Sequence, residues 1–181
     1  WLLGDTLNAG IGQGYILTTP IQIAVMTARI ATGTDLIPRL INAKGGKIIP
    51  INRPNKLDLN ETILAKIRTG MKAAVNDPDG TAYKSRIVTP EFQFAGKTGT
   101  AQVRRITEAE REKGVTKNED LPWQKRDHAL FTGYAPTRNP KYAISVIVEH
   151  GGGGSAVAAP IARDIMLYAL YENFPSLSAY P

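Results

Sequence analysis

Between residues 21 and 31 almost every position is apolar, a stretch too uniform for a helix with one wet face. Thr18 or Thr19 stands ahead of it as a cap, and Pro20 takes the first helical position, where a missing N–H is harmless. Thr32-Gly33 ends it. The pattern predicts a buried helix. A second helix is predicted after Asn60, with Ile63, Leu64, Ile67, Met71, Ala74 and Val75 on one face and Lys66, Arg68 and Lys72 facing water. Asn76-Asp77-Pro78-Asp79-Gly80 stops it. A last helix is expected over about 157–171, with Ile161, Ile165, Leu167, Tyr168 and Tyr171 mostly on one side.

Other segments read as strands. Residues 92–103 form one, interrupted by two glycines, and 129–135 and 142–149 form two more. Pro136-Thr137-Arg138-Asn139-Pro140 turns between the last two, which suits an antiparallel pair. Leu40-Ile41-Asn42 and Lys47-Ile48-Ile49 flank Lys44-Gly45-Gly46 as a short hairpin. Residues 1–18, rich in Gly, Asn, Asp and Thr, read as loop, with Gly12 and Gly14 at backbone positions that tolerate no side chain. The four glycines 151–154 read as a flexible joint. Residues 104–127 carry charges of both signs at about half their positions, around a short exposed helix at 107–113 stopped by Gly114. They are expected to be a polar insertion outside the core. Strands closed by a helix, with the buried helix against the same sheet, predict an α+β (mixed α/β) fold: an antiparallel sheet with packed helices, one domain over 1–181.

Composition narrows the chemistry. At 181 residues the chain can bury a full core. A net charge of +6 permits an anionic partner such as nucleic acid, acidic lipid or cell-wall polymer, but a solvated basic surface accounts for it as well. The absence of cysteine excludes disulfides, zinc–thiolate sites and thiol nucleophiles, and only His128 and His150 offer imidazole. A metal site is not expected, nor is a cofactor. The opening Trp1-Leu2-Leu3-Gly4-Asp5, without Met, reads like the middle of a protein, so the chain is expected to be a fragment.

The candidate chemistry lies in Lys97-Thr98-Gly99-Thr100, followed by Ala101-Gln102. A strand at a pocket rim offers backbone N–H groups to a bound peptide. Gly99 lets a ligand approach the backbone. Side chains alternate, so Thr98 and Thr100 point the same way and their hydroxyls can jointly bind a carboxylate. Lys97 points to the other side, adjacent and cationic. The Thr100 N–H is suited to stabilise an oxyanion in acyl transfer, where one such donor is worth about 3–4 kcal/mol. A solvated lysine on a strand with a glycine bulge is the plainer reading of the tetrapeptide alone. A phosphate loop is disfavoured: Gly96-Lys97-Thr98 matches the end of that motif, but Glu91 stands where its first glycine belongs.

Lys-Thr-Gly on a strand is one of three signatures of serine enzymes that react with penicillin. More of the chain fits them. Gly4-Asp5-Thr6, Ile11-Gly12-Gln13-Gly14-Tyr15, Thr19-Pro20-Ile21-Gln22-Ile23-Ala24, Gly70-Met71, Gly80-Thr81-Ala82, His128-Ala129-Leu130-Phe131, Glu149 with its glycines, and Ala158-Ala159-Pro160-Ile161-Ala162 occur in order. Together they resemble the C-terminal half of the transpeptidase domain of class B penicillin-binding proteins, and within them the elongation type, penicillin-binding protein two.

The resemblance implies a penicillin-binding transpeptidase or serine β-lactamase-like fold and a reaction. Such enzymes attack the D-Ala-D-Ala end of a peptidoglycan stem peptide with a serine and pass the acyl group to an amine on another strand. Carried over by position, Thr98 and Thr100 bind the terminal carboxylate, the Thr100 N–H is half of the oxyanion hole, and Lys97 supports the carboxylate and its hydrogen-bond network. The substrate-binding stretch is Lys97, Thr98, Gly99, Thr100, Ala101 and Gln102. Of the serines, Ser85, Ser145, Ser155, Ser176 and Ser178, none has Lys three residues on or Asn two residues on. The nucleophile is therefore expected in a missing N-terminal part of the same protein, and this chain alone is expected to be inactive and marginal as a folded monomer. Expected partners are the stem peptide, β-lactam antibiotics and a wall-synthesis glycosyltransferase, with no nucleic acid. The implied location is the periplasmic face of a bacterial cytoplasmic membrane, with the anchor helix absent from this chain. The 104–127 insertion is expected to be a lid or docking element, or else a solvated excursion. A non-catalytic module that binds peptide termini or scaffolds wall synthesis is the alternative from another class, and a β-lactamase is a third.

Overall fold

The computed structural model describes residues 1–14, 16–50, 53–104, 106–171 and 175–181. Helix α1 (Leu3–Gly10) falls where a loop is expected. Local polar contacts make it: Asp5 accepts the Leu2 N–H at 2.7 Å and the Trp1 indole donates to Thr6 at 2.8 Å. Gly12 and Gly14 follow with φ of 75° and 93°, which side chains rarely adopt. Tyr15, the end of the expected motif, lies outside the described residues.

Helix α2 (Pro20–Thr32) has the expected bounds. Thr19 caps it and Gln22 accepts the Thr19 N–H at 2.8 Å, a reciprocal capping box. The expectation of burial all round is corrected. Only Thr27 and Ala31 are buried, whereas Ile21 and Met26 are about half exposed. One side of α2 meets the sheet, and the other has no described cover. A minimal hairpin joins β1 (Ala43–Lys44) to β2 (Lys47–Ile48) around Gly45-Gly46.

Helix α3 (Glu61–Asn76) starts on Asn60, whose side chain accepts the Thr62 N–H at 2.8 Å. Leu64, Met71 and Val75 are buried as the spacing predicts, while Ile63 and Ile67 stay exposed. Arg68 is not a water-facing residue: its Nε donates to the Ile30 carbonyl at 2.6 Å and it pairs with Glu61. The guanidinium supplies a donor to a carbonyl of α2's last turn and so ties the two helices.

Strand β3 (Ala95–Ala101) is followed by α4 (Glu108–Lys113), then β4 (His128–Ala135) and β5 (Tyr142–Val148). The three strands form one antiparallel sheet in the order β3-β4-β5. Lys97 lies opposite Thr132, and Phe131 opposite Val146. A π turn (Gly154–Ala158) leads into α5 (Ala159–Tyr171).

The sheet is covered on both faces. Phe131, Ala129 and Ala135 pack with Ala159, Ala162, Met166 and Leu167 of α5. The face expected for α5 is corrected accordingly, because Ile161, Ile165 and Tyr168 are exposed. Alanines let the helix axis approach the strands, so the small residues take the inner side. On the opposite face Tyr134 and Ala95 meet Ala31 of α2 and Met71 of α3. The glycine run is also more constrained than a flexible joint. A Cβ on Gly154 would collide with the carbonyls of Gly99 and Leu130, so the turn sits directly on β3 and β4.

Candidate substrate-binding site

β3 is an edge strand among the described residues, paired only with β4. Its outer edge can be read from two hydrogen bonds. The Thr98 carbonyl accepts from Lys97 Nζ at 2.7 Å, and the Thr100 carbonyl accepts from Gln13 Nε2 at 3.1 Å. Both carbonyls therefore point away from β4. In an antiparallel strand a residue's N–H and C=O lie on the same side, so the Thr98 and Thr100 N–H groups also face outward. The alternation expected from the sequence holds as well. Thr98 and Thr100, opposite Phe131 and Ala129, share one face, and Lys97, opposite Thr132, lies on the other.

Lys97 curls back along the rim of a cleft of about 520 Å³ that runs past Asp77, Asp79 and Thr81 at the end of α3. Its positive charge stays beside the outward edge. Thr100 is exposed and Thr98 and Gly99 half-buried, as a rim requires. Ala101 ends the strand opposite His128. Gln102 departs from the group: it lines a separate cleft of about 250 Å³ with Arg104, Thr116 and Asp127, at the root of the insertion. The structure thus brings Lys97, Thr98, Gly99 and Thr100 together and leaves Gln102 on the insertion side.

The insertion is tied down at its root. Arg104 makes two hydrogen bonds of 2.7 Å to Glu110, which hold that carboxyl well below its usual range, at about 2. Asn118 exchanges two hydrogen bonds with Asp127, of 2.9 and 3.0 Å. Trp123 stands edge-on to His150 at 4.6 Å, and the His150 N–H donates to His128 Nδ1 at 2.9 Å. That bond makes Nδ1 the unprotonated ring nitrogen of His128.

Two residues near β3 are not among the site residues expected from the sequence. Gln13 reaches it from the N-terminal segment, and Thr81 places its hydroxyl 3.2 Å from that of Thr98. Both belong to stretches the sequence marks, yet a single polar contact across the fold has no period to read. A more apolar cleft of about 530 Å³ lies on the outer side of α2, lined by Ile21, Val25, Met26, Pro38, Leu57 and Leu59 among others. Gln22 and Arg29 are its polar lining residues, and Arg29 is engaged by Asp35 and the Leu36 carbonyl.

The sheet carries helices on both faces, and Lys97-Thr98-Gly99-Thr100 lies on its edge strand among the described residues. Residues 1–167 match the penicillin binding protein transpeptidase domain, and the chain belongs to that family. It is 38% identical to the peptidoglycan D,D-transpeptidase MrdA of Haemophilus influenzae over 99% of its own length and 28% of that protein. The structure is similar to penicillin-binding protein two of Pseudomonas aeruginosa in complex with WCK 5153, with a TM-score of 0.72, 35% identity, and coverage of 100% of this chain and 36% of that one. It is equally similar to the Helicobacter pylori penicillin-binding protein two in its complex with MreC, with a TM-score of 0.72, 36% identity, and coverage of 95% and 28%. The chain spans about 28% of the length of the curated relatives it matches.

Proposed function

We propose that the full-length protein is a peptidoglycan D,D-transpeptidase and that this chain supplies the strand that holds the donor peptide. The observation that carries the reading is the outward edge of β3, with the amides of Thr98 and Thr100 facing away from β4 and their hydroxyls on one face. A stem peptide adds beside β3 as an extended strand. The two hydroxyls donate to its terminal carboxylate, and Lys97 supplies the nearby positive charge.

The chemistry then divides between parts of the protein. A serine on another segment attacks the penultimate D-Ala carbonyl carbon. The oxygen gains negative charge and the Thr100 N–H donates to it. The C–N bond breaks, D-Ala leaves as the amine with the serine's proton, and an acyl ester remains. An amine of a second stem peptide attacks the ester, the new amide forms, and the serine regains its proton. A β-lactam follows the first half and stops at the ester.

In this reading the protein works at the periplasmic face of the cytoplasmic membrane. Among the described residues no helix is long and apolar enough to cross a membrane. A wall-synthesis glycosyltransferase and a scaffold of the MreC kind are the partners proposed. The insertion, set immediately after β3, acts as a lid or a docking element for them; if its deletion left both substrate and partner binding unchanged, that role would be excluded.

Intact-mass analysis after exposure to a β-lactam tests the assignment. The full-length protein should gain one adduct, on the serine of a Ser-x-x-Lys motif, and the 181-residue chain none. A folded full-length protein without an adduct would reject the transpeptidase reading in favour of a non-catalytic scaffold.

A further inference from the structure

The turn after α3 is built to bring one hydroxyl to β3. Ala82 N–H donates back to the Ala74 carbonyl at 2.9 Å, and Gly80 N–H to Asp77 at 2.8 Å. A Cβ on Gly80 would come within 2.6 Å of the Ala73 and Ala74 carbonyls, so the chain can fold over the helix end only with glycine there. Asn76 Nδ2 donates to the Phe94 carbonyl at 2.9 Å and fixes the same helix end to the entry of β3. The outcome is Thr81, exposed, with its Oγ1 3.2 Å from Thr98 Oγ1.

A threonine hydroxyl has one proton and two lone pairs. To hold a carboxylate, Thr98 must spend its proton on the anion. Its lone pairs are then free to accept. We infer that Thr81 is a positioning residue for ligand binding: its hydroxyl donates to Thr98 Oγ1, so that the Thr98 proton is turned outward to the ligand's carboxylate. The chain Thr81 to Thr98 to anion also polarises in one direction, which strengthens the outer bond. Thr81 itself touches no reacting atom. The inference rests on the transpeptidase reading, since it concerns the same carboxylate.

The test uses the full-length protein and the second-order rate of acylation by a penicillin free acid and by its methyl ester. Thr81→Val keeps the shape and removes the hydroxyl. It should slow acylation by the acid about fivefold, the weight of one hydrogen bond, and leave the ester rate unchanged. Thr81→Ser should restore the acid rate. In a Thr98→Val background, Thr81→Val should change nothing further. Equal slowing of acid and ester would mean a general disturbance of β3 and overturn the inference. So would an unchanged acid rate, or an additive effect in the double variant. Failure of the wild-type protein to acylate at all would reject the transpeptidase reading itself and this inference with it.

Discussion

Gln13 and Thr100 are 87 positions apart, yet the Gln13 side-chain amide donates to the Thr100 carbonyl on the outer edge of β3. The N-terminal segment is thereby fastened to the strand that carries the site. Gln13→Met preserves length and removes the donor. In the full-length protein it should cost about 0.5–1 kcal/mol, the lower range for a hydrogen bond because the contact is exposed. Amide exchange over residues 1–14 should quicken, while that of β4 stays as it was. Unaltered exchange in the segment would mean that Gln13 does not hold it.

A buried pair ties α2 to the sheet. Thr27 is fully buried, its Oγ1 lies 2.6 Å from Thr132 Oγ1, and Thr132 donates onward to the Ile144 carbonyl at 2.9 Å. The hydroxyls link α2, β4 and β5 in one chain. Thr27→Val or Thr132→Val alone should each cost about 1–3 kcal/mol, since a polar partner is left buried and underused. The double variant should cost less than the sum by about 0.5 kcal/mol or more. Denaturant unfolding of the four proteins measures the coupling, and strict additivity would show that the pair acts as two separate groups.

These contacts also mark what a sequence can and cannot disclose. The bounds of α2 were legible because the Thr19 cap, Pro20 and Gly33 act within one turn of each end. The β4–β5 pair was legible from its strand composition and the Pro136–Pro140 turn. The inner side of α5 was not. Periodicity marks Ile161 and Ile165, whereas the sheet accepts Ala159 and Ala162, because approach distance and not hydropathy decides there. Arg68 misleads in the same way: its charge signals water, but half-buried it bonds the Ile30 carbonyl of α2 and pairs with the exposed Glu61. In the site, Lys97 to Thr100 form a contiguous motif and could be read. Gln13 and Thr81 come from distant segments and could be found only in three dimensions.

Gly96 is required by a ring. A Cβ there would collide with Phe131 and come 2.6 Å from the Thr132 carbonyl. Phe131 cannot retreat easily, because it is buried against Phe94 at 5.6 Å between ring centres. Gly96→Ala should push β3 away from β4, cost about 1–3 kcal/mol and displace the Lys97–Thr100 edge. Acylation of the full-length protein should fall with it. Gly153→Ala is the control: its φ is −88° and nothing lies within 4 Å of the added carbon, so its effect should stay within about 0.5 kcal/mol. Equal effects of the two substitutions on the thermal midpoint would refute the steric argument.

The root of the insertion should respond to acid in a defined direction. The two hydrogen bonds from Arg104 hold the Glu110 carboxyl at about 2, below its ordinary value of 4.5. A carboxyl whose value falls on folding binds protons less readily in the native state, so its contribution is complete above 4.5 and is lost as pH drops through 2. A carbon-13 titration of the Glu110 carboxyl should therefore give a midpoint near 2, and Arg104→Met should return it toward 4.5. Because the native carboxyl stays ionised until pH approaches 2, the wild-type insertion should keep its order through 4.5 and loosen only near 2, which Trp123 fluorescence can follow, and Glu110→Gln should remove that pH dependence by leaving no charge to titrate. A midpoint in the ordinary carboxylate range in the wild type would mean that the Arg104–Glu110 pair does not form in solution and that the insertion is held by its other contacts, those of Asn118, Asp127 and His150 among them.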